Sequence, residues 1–77
     1  MNTLTLYTKK NCKLCDEVKE LIDILSMDYQ ITMAEVDIEQ DAQLLTTYFL
    51  EIPVLFINGE KIDYRGIDIF SLRERLH

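Results

Sequence analysis

Hydrophobic and polar positions alternate from residue 2 to residue 7, with Leu4 and Leu6 on one face, the period of a half-buried strand. Thr8 to Asn11 is polar and reads as a loop. From Cys12 the period changes. Leu14, Cys15, Val18, Leu21, Ile22 and Leu25 recur at three- and four-residue spacing and predict an amphipathic helix over residues 13 to 26. Asp16 and Glu17 fall in its first turns, where the positive end of the helix dipole favours acids. Tyr29, Ile31 and Met33 alternate again, and Val36 and Ile38 follow out of phase. One strand is expected there, over about residues 30 to 37, with its register open.

Leu44, Leu45, Tyr48 and Phe49 return to helical spacing, giving a short helix within residues 41 to 50. Pro53 interrupts, and Val54-Leu55-Phe56-Ile57 is a continuous apolar run of the kind found in buried strands. Asn58-Gly59 is a strong hairpin signal, because a type I′ turn needs positive φ at both central residues. The returning strand is expected over residues 60 to 65, with Ile62 and Tyr64 on one face and Gly66 as a break. A last helix carries Ile69, Leu72 and Leu76 along one side. A right-handed crossover makes the first two strands parallel, and the hairpin makes the last two antiparallel. The fold class is therefore α/β, in the order β-α-β-α-β-β-α, with a mixed four-stranded sheet and three helices.

Composition narrows the function. The 77 residues suit one domain, residues 1–77, which buries only about 60% of the surface its unfolded chain exposes. Two cysteines are too few for a disulfide scaffold, so stability must come from the 48% of residues that are hydrophobic. A net charge of −6 argues against nucleic acid, which needs a basic face, and suits a protein kept in solution as a monomer. The sign reverses locally. Lys9, Lys10 and Lys13 surround Cys12, with no acid among residues 8 to 15. The first residues lack a continuous apolar stretch, so no membrane is expected and the expected location is cytoplasmic. In that reducing compartment a close cysteine pair is catalytic or metal-binding more often than structural.

Cys12-Lys13-Leu14-Cys15 lies where the first strand gives way to the first helix. A tetrahedral zinc site needs about four ligands, and His77 is the only other soft or imidazole candidate, so no metal is assigned. A redox pair has a physical logic. Cys12 falls near the helix start, where unpaired N–H groups and the dipole stabilise a thiolate. Residues three apart on a helix have Cβ atoms about 5–6 Å apart, and a relaxed disulfide wants about 3.5–4.5 Å. A modest adjustment of the first turn closes that gap. Cys15 lies on the apolar stripe, either as the buried resolving thiol or as a small core residue. Pro53 opens a buried strand, where it cannot donate a hydrogen bond. A cis Ile52–Pro53 bond resolves that conflict, as does a trans proline at the first strand residue.

Together these residues resemble the glutaredoxin branch of the thioredoxin superfamily, in particular its short bacterial members. The resemblance runs through Leu6-Tyr7-Thr8, Cys12-Lys13-Leu14-Cys15, Val36-Asp37-Ile38 and Ile52-Pro53-Val54-Leu55-Phe56-Ile57-Asn58-Gly59. It implies a thioredoxin-like fold and a dithiol oxidoreductase with Cys12 as nucleophile and Cys15 as resolving thiol. It also implies a cis Pro53 facing the pair, an Ile52 backbone that pairs with an extended substrate, and Lys9 as a basic contact for glutathione. The implied partners are a disulfide-containing protein or small thiol, with glutathione or a flavoprotein reductase as electron donor. Two positions depart from the family pattern. Lys13-Leu14 replaces Pro-Tyr between the cysteines. Asp63-Tyr64 replaces a glycine pair, placing side chains and a negative charge where the anionic tripeptide would approach, with Arg65 beside them as an offsetting cation. Two other readings stay open: a binding module that uses the same fold without redox chemistry, and a glutathione-dependent iron–sulfur glutaredoxin.

Overall fold

A computed structural model of the chain describes residues 1–62 and 64–77, apart from the Tyr64 side chain. Its elements are β1 (Asn2–Thr8), α1 (Lys13–Leu25), β2 (Ile31–Asp37), α2 (Ala42–Tyr48), β3 (Val54–Ile57), β4 (Glu60–Ile62) and α3 (Ile69–Arg75). Short 3-10 turns occupy Ile38–Gln40 and Tyr64–Gly66. The strands form one sheet in the order β2-β1-β3-β4. β1 and β2 are parallel, and β3 is antiparallel to β1 and to β4. Among the described residues no helix is long and apolar enough to cross a membrane.

Alternation along β1 sends Leu4 and Leu6 to one face and Tyr7 to the other. On the first face, Leu4, Leu6, Leu55, Ile57 and Ile62 pack against Val18, Ile22 and Leu25 of α1 and against Leu72 and Leu76 at the end of the chain. Burying each such side chain contributes about 1.5–3 kcal/mol before entropy is counted, so this layer carries most of the fold. On the second face the Tyr7 ring stacks on Tyr48 of α2 at 4.8 Å and meets Phe56 edge-on at 5.7 Å. Helices α1 and α3 thus cover one face, and α2 covers the other where β1 ends.

The register left open for β2 is Asn2 with Ile31 through Thr8 with Asp37. It explains the break in hydrophobic phase. Ile31, Met33 and Glu35 share the α1 face, and Glu35 meets Lys19 of α1 at 3.2 Å instead of entering the core. That hydrogen bond, working against desolvation, holds the Lys19 ammonium above its usual range.

The hairpin forms as its residues require, with Asn58 at φ 51° and Gly59 at φ 89°. The returning strand, however, stops at Ile62 and does not run to Arg65. Ile62 opposes Leu55, so two residues further on the chain would face Pro53, which has no N–H to offer the ladder. Arg65 therefore lies in a 3-10 turn. Beyond that turn Asp68 caps α3, its carboxylate accepting the Ser71 N–H at 2.9 Å, and this bond draws its pKa below the usual carboxylate range. The second helix is also shorter than its pattern. Asp41 caps it, and Tyr48 ends it by accepting the amides of Glu51 and Ile52 at 2.9 and 3.2 Å.

Asn2 ties the far end of the sheet together. Its side chain is 0% exposed and makes four hydrogen bonds, as many as an amide can accept and donate in the ordinary count. Nδ2 donates to the carbonyls of Gln30 and His77 at 3.0 and 2.9 Å. Oδ1 accepts from the His77 amide at 2.9 Å and from Asn58 Nδ2 at 3.1 Å.

Candidate active site

β1 ends at Thr8 and α1 begins at Lys13, so four residues turn the chain from sheet into helix. Asn11 makes the turn at φ 58°, a left-handed conformation that asparagine adopts more readily than most residues. Cys12 follows as the N-cap of α1, in an extended conformation, and its Sγ accepts the Cys15 N–H at 3.1 Å. A sulfur therefore stands where Ser or Asp usually caps a helix, facing unpaired amides and the positive end of the dipole. Cys12 and Cys15 are joined by a disulfide with Cα atoms 5.2 Å apart. Their exposures differ. Cys12 is half-buried, whereas Cys15 is 0% exposed under the first turn.

The other residues singled out in the sequence divide into two groups. Lys9 stands beside the cysteine turn, with its ammonium 5.8 Å from the centre of the Phe49 ring. The Ile52–Pro53 bond is cis, and Pro53 is buried at the head of β3. Because Tyr7 pairs with Val54, that bond arrives at the same end of the sheet as the cysteine turn. The Ile52 N–H is already donated to Tyr48, so a strand pairing here must use the Ile52 carbonyl or displace that contact. Arg65 lies exposed in the turn after β4, the strand that β3 separates from β1. On the other flank of the turn, Thr8, Lys9, Lys10, Lys19, Glu35 and Asp37 line an open cleft of about 310 Å³. The replacement read at Asp63 lies outside the described residues, as does the Tyr64 side chain.

A partly open sulfur on a helix cap, a buried sulfur bonded to it, and a cis-proline at the same sheet end form an arrangement suited to thiol–disulfide exchange. The sequence matches the family model described as Glutaredoxin-like domain (DUF836) over residues 3–77. The chain belongs to this glutaredoxin-like family. A glutaredoxin of Ricinus communis is 31% identical over a 67-residue alignment that covers 79% of this chain and 64% of that protein. The match thus spans less than two thirds of that relative. A solved structural-genomics target from X. campestris, XcR50, is 35% identical, covers 92% of this chain and 91% of its own, and superposes with a TM-score of 0.75. Oxidised thioredoxin O2 of Arabidopsis thaliana superposes with a TM-score of 0.67 at 23% identity, covering 96% of this chain and 70% of its own. That likeness shows the fold, which is the thioredoxin fold.

Three apolar side chains of this glutaredoxin-like chain lie where the hydrophobic pattern did not put them. Leu14 was counted in the α1 stripe but is 50% exposed. It stands one residue, about 100° of helix rotation, from Cys15, and so falls off the buried face. Phe49 and Leu50 lie past the last turn of α2, 55% and 87% exposed. The signal was present in the sequence. Two adjacent large apolar residues at the end of so short a helix cannot both face one sheet.

Proposed function

We propose that this glutaredoxin-like protein is a dithiol thiol–disulfide oxidoreductase that reduces disulfides in the cytoplasm. The observation that carries the proposal is the asymmetry of the pair, one sulfur open on a helix cap and the other buried behind it. In the reduced protein the Cys12 thiolate attacks a substrate disulfide and displaces one substrate thiolate, leaving a mixed disulfide on Cys12. Cys15 then loses its proton, attacks Cys12 Sγ and expels the second substrate thiol. Two electrons have passed to the substrate, and the Cys12–Cys15 disulfide has formed. The helix cap helps both steps, because it stabilises Cys12 as attacking thiolate and as leaving group.

Lys9 supplies positive charge beside that thiolate. Pro53 shapes the wall against which the substrate lies, and the Ile52 carbonyl is the backbone group offered to an extended substrate. Arg65 is assigned a secondary role, meeting a carboxylate of a substrate long enough to cross β3. Glutathione or a flavoprotein reductase returns the two electrons.

A stoichiometric reaction tests this directly. The fully reduced protein, mixed with excess small symmetric disulfide, is expected to release two thiols per chain and to end with Cys12 bonded to Cys15. No thiol release, or release with both cysteines still free, would contradict it.

A further inference from the structure

Resting on the oxidoreductase reading, we propose that the surface around Cys12 docks an extended, acidic polypeptide segment of a partner protein, which carries the disulfide to be reduced. Charge is the first argument. The chain carries −6 overall, yet residues 8 to 15 hold Lys9, Lys10 and Lys13 and no acid. Lys10 and Lys13 are exposed, and none of the ion pairs among the described residues uses them. The neighbouring cleft adds Lys19, Glu35 and Asp37, with Lys19 shared by Glu35 at 3.2 Å and Asp16 at 3.6 Å, so the lysines outside any ion pair among the described residues are those of the cysteine turn itself.

Shape is the second argument. Leu14, Phe49 and Leu50 are 50%, 55% and 87% exposed, a cost that folding does not require. Met1, Ile24, Met27 and Phe70 are also exposed, but Leu14 and the Phe49–Leu50 pair are tied by chain or by contact to the cysteine turn. Leu14 lies between the two cysteines in sequence. Phe49 lies under the Lys9 ammonium at 5.8 Å. The stack of Tyr7 on Tyr48 at 4.8 Å holds the end of α2 against the end of β1, which carries Phe49 and Leu50 to the redox end of the sheet. An occupant touching both Leu14 and Leu50 must cross the turn. An extended segment of several residues, at about 3.3 Å each, does so, and a small disulfide does not. Acidic groups in that segment meet the lysines, and an apolar side chain covers the Phe49–Leu50 pair.

The test uses two peptides of equal length, each with one cysteine in mixed disulfide with a chromogenic aryl thiol. A leucine flanks the cysteine in both, with aspartates in one and lysines in the other. The reduced protein is expected to react with the aspartate peptide at least about tenfold faster at low salt, within the range that electrostatic steering gives. The ratio is expected to approach one near 1 M salt, where the Debye length is about 3 Å. In the K10E/K13E variant the ratio should invert, and because the same Cys12 thiolate attacks both peptides, any change in Cys12 itself cancels. In F49S/L50S the advantage of these peptides over a further pair with glycine in place of the leucine should disappear. Equal rates for both peptides, or a preference unchanged in K10E/K13E, overturn the docking surface and leave the oxidoreductase standing. Failure with both peptides and with the free aryl disulfide overturns both.

Discussion

Cys12→Ser is expected to reduce disulfide turnover to the rate of the thiol donor alone. Serine at that position keeps the helix cap, since its oxygen accepts the Cys15 amide at least as well as sulfur does. The fold should therefore survive, and far-ultraviolet circular dichroism should match the parent. What is lost is the nucleophile: a hydroxyl at neutral pH has almost no ionised fraction, whereas a capped thiol has a substantial one. Cys15→Ser should fail differently. Its Cys12 still attacks, so one equivalent of leaving thiol appears in a burst. The reaction then stops at the mixed disulfide with a protein-sized substrate, because the buried serine cannot resolve it. Mass spectrometry of the intact protein should show the adduct on Cys15→Ser and none on Cys12→Ser. Equal turnover in all three proteins would remove the assigned roles.

The second large effect concerns stability. Asn2→Ala removes four hydrogen bonds at once, from a position with 0% exposure. It leaves the His77 carbonyl and amide and the Asn58 side-chain amide to find other partners, while the Gln30 carbonyl keeps the backbone N–H of residue 2. Each buried polar group left unsatisfied costs about 1–3 kcal/mol, and partial access to water lowers the sum, so a loss of about 3 kcal/mol is expected. For a domain of this size that corresponds to a fall in Tm of about 12–24 °C. Asn2→Asp should do at least as badly, because it turns two donors toward carbonyls into an acceptor. Thr3→Ala, at the exposed neighbour, should change stability by less than about 0.5 kcal/mol. Thermal unfolding of the three variants separates the cases. A tolerant Asn2→Ala would mean that the knot is a surface convenience.

Asn2 also marks where the sequence was hard to read. It shares the phase of Leu4 and Leu6, but nothing local gives its amide partners, and only the return of residues 58 and 77 to the start of β1 makes it a buried hub. Long-range hydrogen bonds of this sort have no local pattern. By contrast, β1, α1 and the Asn58-Gly59 turn were legible because each is fixed by local chemistry: alternation, helical spacing and positive φ. The returning strand was read as far as Arg65, which lies instead in the Tyr64–Gly66 turn. Tyr64 and Arg65 continue its pattern, but the opposing strand begins just after a proline, and a strand cannot lengthen without a partner. The phase break in β2 was visible, and its cause was not, since Lys19 of α1 lies twelve residues before the strand begins.

The site was legible in its chemistry and less so in its rim. Cys12 and Cys15 followed from their place between strand and helix. The cis form of Pro53 came from the family resemblance, since its residues alone left cis and trans open. Arg65 was grouped with the site as a cation beside the Asp63-Tyr64 replacement, able to meet a substrate carboxylate. It lies in the turn that follows β4, the strand that β3 separates from β1. Phe49 escaped because helical spacing assigned it to a core, and Leu50 because the pattern gave it no place, and α2 has run out of helix before it reaches either.

The most direct single measurement is the midpoint potential of the Cys12–Cys15 pair, obtained by equilibrating the protein in graded thiol buffers, trapping free thiols and weighing the products. A catalytic dithiol should interconvert reversibly between two species differing by two trapped thiols, with a midpoint between roughly −180 and −270 mV. A disulfide that stays closed far below that range would be a structural crosslink. Cysteines that never pair would leave a thioredoxin-fold binding module without redox chemistry, and either result would contradict the function proposed here.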